Sequence, residues 1–146
     1  MTSFKTLGLM LAATVCIAAP AVQAQEAFGD LTVTFPALKA KQGQVMIAVF
    51  DSAQGWASGK PARVAMASAA DAAPSANVVS LPPGTYAIRA FQDVDGDGKM
   101  GTNPFGMPVE PYGFSNNAKV NMGPPSFDAS AFTVKAGQNT HAMSLN

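Results

Sequence analysis

Asp93, Asp95 and Asp97 stand at alternate positions in the run Asp93-Val-Asp95-Gly-Asp97-Gly98-Lys-Met-Gly. Ca²⁺ takes about six to eight oxygen ligands at about 2.3–2.6 Å, and alternate carboxylates on a curling backbone converge on one point. The glycine at the sixth position permits the sharp turn that brings the next carbonyl, that of Lys99, towards such an ion. Three carboxylates this close repel one another until a cation neutralises them. The helix–loop–helix calcium motif places a bidentate Glu at its twelfth position; here that position is Pro104, and no helical period flanks the run, so the loop is of another kind. Glu110 replaces the missing carboxylate if the chain folds back. Asp51 is a weaker candidate, because strands that alternate in direction put it at the opposite pole from Asp93. The predicted metal set is Asp93, Asp95, Asp97, Lys99 and Glu110, with Ca²⁺ as the ion. The competing reading is an acidic hairpin in which Asp and Gly only make turns.

Other chemistry is sparse. His141 is the single histidine. With Asp93 or Glu110 as general base and His141 as acid, the chain reads as an envelope hydrolase acting on carbohydrate or peptide. His141, however, shares strand parity with Met143 and Leu145, which makes it a half-buried edge residue. Ser115 has no base near it in sequence. Trp56 and Tyr112 are the stacking platforms of a carbohydrate-binding reading, although such aromatics more often pack in cores and loops. The leading reading is a non-enzymatic domain with a structural Ca²⁺-type loop and a loop-borne recognition surface.

The elements that position these residues are strands. Leu31-Thr-Val33-Thr-Phe35 alternates apolar and polar residues, which sets one face on a core. The segment 44–51 is apolar on both sides, with Val45, Ile47 and Val49 on one face and Met46, Ala48 and Phe50 on the other, so both faces are covered. Segments 63–67 and 77–81 are weaker strands, and the alanine-rich 53–76 region has room for a short helical turn. Segment 85–92 is the clearest strand, with Tyr86, Ile88 and Ala90 on one face and Phe91 on the other. Segments 132–135 and 140–145 close the chain, joined by the turn Ala136-Gly137-Gln-Asn as a hairpin. This predicts an all-β antiparallel β-sandwich of about seven strands with one long ordered loop. That loop, between Asp93 and Phe132, carries Phe105, Tyr112, Phe114 and Phe127, and the second apolar faces at Phe50 and Phe91 give it a surface to fold back on.

Lys5 followed by the apolar stretch 7–19, and then Ala21-Val22-Gln23-Ala24, reads as a signal peptide cut after Ala24. An uncleaved anchor is the competing reading. Thr14 and Val15 before Cys16 do not make a lipidation box. Residues 25–146 then form a single domain, periplasmic or secreted, without a cysteine and with no membrane span after cleavage. Nine basic and nine acidic side chains leave the chain near neutral, with no basic stripe to attract nucleic acid or anionic lipid. Charged residues make up 12%, against 13 Gly and 11 Pro, a mixture that suits a turn-rich β domain.

Taken together, Gly43-Gln-Val-Met-Ile-Ala-Val-Phe-Asp51, Leu81-Pro-Pro-Gly84-Thr-Tyr86-Ala87, the Asp93–Gly98 run, Gly106-Met-Pro108-Val-Glu110-Pro-Tyr-Gly113-Phe-Ser115-Asn-Asn and Pro124-Pro-Ser-Phe127 resemble the DUF2141 domain family. That family often has Asn at Asp95 and Asp97 and Asp at Gly101; these departures move carboxylates without abolishing the oxygen set. The resemblance implies export and a sandwich similar to transthyretin-like or carboxypeptidase-regulatory domains. It supplies no established activity, and the expected partner is an unidentified envelope or extracellular one, glycan or protein.

Overall fold

The computed structural model describes residues 27–146. The leader over residues 1–24 and its cleavage point lie outside the described residues. Eight strands build two sheets: β1 (Gly29–Thr34), β2 (Gln44–Phe50), β3 (Arg63–Ser68), β4 (Ser75–Leu81), β5 (Gly84–Asp93), β6 (Tyr112–Phe114), β7 (Phe132–Val134) and β8 (Gly137–Ala142). The smaller sheet has the order β4-β1-β8. The larger runs β3-β2-β5-β6, with β7 pairing β5 beyond the end of β6. All pairs are antiparallel except β1 with β8, which is parallel. The all-β expectation therefore holds.

Alternation in the sequence becomes the core between the sheets. Leu31 and Val33 of β1, Val45, Ile47 and Val49 of β2, and Tyr86, Ile88 and Ala90 of β5 all face it and are buried. Met143 and Leu145, just past β8, complete it. The second apolar face of β2 and β5 is used as well. The helical turn α1 (Ala53–Ser58) and the short helix α2 (Phe127–Ser130) lay Trp56 and Phe127 over Phe50, Ala87 and Phe114 on the outside of the larger sheet. Ser52 starts α1, its hydroxyl accepting from the Gly55 amide at 3.2 Å.

Two expectations need correction. The turn after Val134 is real, with the Asn139 side chain accepting from the Lys135 amide at 2.9 Å and donating to its carbonyl at 2.7 Å. It does not join a hairpin: β7 pairs with β5 in one sheet, while β8 runs beside β1 in the other. A turn motif fixes local direction but not the partner that each strand finds. The second correction concerns the long loop. Tyr112 and Phe114 do fold back, as the missed strand β6 on β5, and Phe127 packs near Trp56. Phe105, by contrast, is 87% exposed at the tip of a tight sub-loop, in which the Asn103 carboxamide accepts from the Phe105 and Met107 amides.

Candidate metal centre

Asp93 is the last residue of β5, paired across the sheet with Gln44, so the acidic run starts from a fixed strand end. Its side chain is buried, and its two oxygens accept from the Gly96 and Gly98 amides at 2.8 and 2.9 Å. Those bonds curl the chain, and the curl needs a left-handed backbone at Gly96 (φ 79°) and Gly98 (φ 76°), which glycine adopts without a steric penalty. The Asp95 carboxylate accepts from the Asp97 amide at 3.2 Å, and the Asp97 carboxylate accepts from the Lys99 amide at 2.8 Å. Asp95 and Asp97 are exposed. One oxygen from each of Asp93, Asp95 and Asp97 lies within 4.8 Å of the others, the one such acidic group among the described residues. An oxygen-only donor set of this kind suits a hard divalent cation.

Glu110 does fold back, but to the neck of the loop and outside that group of three. Its oxygens accept from the Val94 and Gly101 amides, both at 2.8 Å, so one carboxylate holds the two ends of the loop together. The Val109 amide donates to the Gly101 carbonyl at 2.9 Å and closes the same neck. Asp51 lies past the far end of β2, where Phe50 pairs with Ala87, and its carboxylate accepts from the Ser52 hydroxyl. The opposite-pole expectation for Asp51 is met.

The remaining candidates are placed as follows. His141 sits on β8, an edge strand, stacked on Phe132 with ring centroids 4.1 Å apart, and its Nε2 accepts from the Asn116 amide at 3.3 Å. Burial lowers its pKa. Ser115 is buried: its hydroxyl accepts from the Ile88 amide at 2.8 Å and donates to the Ser130 carbonyl. Trp56, only 5% exposed, packs between Phe50, Phe114 and Phe127, and its indole donates to the Pro125 carbonyl. It presents no platform to a sugar. Tyr112 is half-buried, edge-on to Phe114.

Sequence reasoning missed what Phe114-Ser-Asn-Asn117 does. Asn116 and Asn117 take left-handed backbone angles (φ 59° and 48°), which asparagine tolerates better than other side chains. Asn116 then donates to the Ala131 carbonyl at 2.7 Å, and the Asn117 side chain accepts from the Ser144 amide at 2.9 Å. The motif ties β6, α2 and the end of the chain together. Gly113 belongs to the same junction, since a Cβ there would strike the Ser144 carbonyl.

Residues 33–142, from within β1 to the end of β8, match the family model DUF2141, described as an uncharacterized protein conserved in bacteria. The chain belongs to the DUF2141 family. The match takes in the acidic loop, its Glu110 clamp and the Ser-Asn-Asn junction, so the DUF2141 model spans the candidate centre whole. Comparison with curated proteins and with solved structures returned no match. Among the described residues, no helix is long and apolar enough to cross a membrane.

Proposed function

We propose that the protein is an exported, non-enzymatic DUF2141 domain whose Asp93–Lys99 loop binds Ca²⁺ structurally. In this reading the Asp93, Asp95 and Asp97 carboxylates and the Lys99 carbonyl are ligands, and Glu110 adds negative charge while holding the neck of the loop. The observation that carries it is the convergence of three carboxylate oxygens within 4.8 Å on a loop closed by a fourth carboxylate. Mutual repulsion at that distance is relieved by a cation. The export half of the reading rests on the charged, apolar and small-residue pattern of residues 1–24. The segment after the site offers a recognition surface towards an envelope or extracellular protein or glycan, because Phe105, Met107 and Val109 stand exposed together on it.

Calorimetric titration with Ca²⁺, and melts with and without chelator, test the ion. Ca²⁺ should raise the melting temperature, and at one hundred times the dissociation constant the gain is about 2.7 kcal/mol. Mg²⁺ should do less, since it demands a tighter octahedral shell and sheds water reluctantly. Asp95→Ala with Asp97→Ala should remove the response, and Glu110→Gln should weaken it. Identical melts of wild type and the double variant under both conditions would reduce the loop to a turn.

A further inference from the structure

The outer face of the larger sheet is covered over only part of its length. Near Phe50 and Ala87, Trp56 and Phe127 close it. Towards the acidic loop it opens into a groove of about 490 Å³. Strand register fixes the floor: Met66, Met46, Phe91 and Tyr112 form one cross-strand row over β3, β2, β5 and β6. In the next row Arg89 stands between Ala48 and Phe114. Met100, from the acidic loop, adds a third methionine to the lining. Thioethers are flexible and polarisable, and surfaces rich in them adapt to apolar ligands. The rim is open to solvent, with Val64 73% and Met66 60% exposed.

Among the described residues, Arg89 is the one charged side chain of this lining. Its guanidinium carbon lies 4.0 Å from the centre of the Trp56 ring and 5.0 Å from that of Phe50, and Nη2 donates to the Trp56 carbonyl at 2.6 Å. Its buried Nε has no hydrogen-bond partner among the described residues. Burial lowers its pKa. A partly desolvated cation that keeps a spare donor is costly unless an anion meets it. An apolar cleft with one convergent polar group is the usual form of a small-molecule site, and this volume lies within the range of about 300–1,000 Å³ for such sites.

We propose that the groove binds an amphiphilic carboxylate, a medium-chain fatty acid, with its head on Arg89 and its chain along Met46 and Met66. From β5 to β3 is two strand spacings, about 10 Å, which accommodates an acyl chain of medium length. The head neutralises the guanidinium, while the chain covers the apolar row that solvent now wets. The groove meets the acidic loop only at Met100 and takes none of its carboxylates, and the test runs in chelator so that its outcome does not depend on the ion.

Trp56 is the single tryptophan and lies under the Arg89 guanidinium, so its emission reports an anion arriving there. Decanoate, titrated below its micellar range, should change that emission saturably and shift the methyl resonances of Met46 and Met66. Met66→Glu, at an exposed position on β3, should weaken binding at least tenfold by setting a charge against the apolar chain. Arg89→Gln should weaken it as much, and decyltrimethylammonium, with the same chain and the opposite charge, should not saturate. Equal responses to the two amphiphiles, or binding unchanged by Met66→Glu, would overturn the proposal. So would a concentration-dependent dimer that Met66→Glu dissociates and decanoate does not, which would give the groove to a second copy of the chain.

Discussion

Ser115 shows how a residue suggestive of chemistry can be spent on structure. Its hydroxyl satisfies two backbone groups in the interior, the Ile88 amide and the Ser130 carbonyl. Ser115→Ala should therefore destabilise the protein by about 1–3 kcal/mol, the penalty for leaving buried polar groups unpaired, measurable by denaturant unfolding. His141 makes a second residue-scale prediction. Its folded-state pKa is depressed by burial, so below its unfolded value of about 6.5 the unfolded chain binds the proton more readily. Stability should be full above that pH and fall as the pH drops towards the folded pKa. Protonation also removes the Nε2 acceptor used by the Asn116 amide. Melts across this window should slope for wild type and flatten for His141→Gln. Of the site, the three aspartates were legible because their spacing alone implies convergence. Arg89 was not: a lone arginine in an apolar strand reads as a solvent-facing residue, and only the fold reveals that its guanidinium stacks on Trp56.

Among the elements, β5 joins the two faces of the larger sheet. Tyr86, Ile88 and Ala90 serve the inter-sheet core, while Ala87 lies under the outer aromatic cluster. Ile88→Ala should cost about 2–5 kcal/mol, as truncation of a fully buried side chain does. Tyr86→Ala should cost as much, since it also gives up the hydroxyl bond to the Pro82 carbonyl. Thermal melts that show no loss for either would reverse the assignment of faces. Strand β1, by its alternation, and β2 and β5, by their apolar runs, were legible within a residue or two. Strand β6 was not, because three residues are too few for a period of two to register. Its place is set instead by tertiary contacts: the Gln92 amide donates to the Pro111 carbonyl, and Tyr112 and Asn146 exchange backbone bonds. The expected hairpin failed for a related reason, since the partners of β7 and β8 are chosen by burial and not by the turn between them.

For the whole molecule, the reading of residues 1–24 predicts an exported form beginning at Gln25, and intact mass of that form checks it; a membrane-pelleted chain retaining Met1 would defeat it. The parallel pairing of β1 with β8 bears on how any such chain acquires its structure. Gly29 lies opposite Gly137, and Thr34 opposite Ala142, so the central strand of the smaller sheet has one neighbour drawn from the far end of the sequence. Contacts so remote along the chain delay folding, because the loop-closure entropy must be met before the pairing repays it. A nascent chain that emerges N-terminus first has β1 in hand long before β8 exists. The three-stranded sheet is then completed only once β8 has been made.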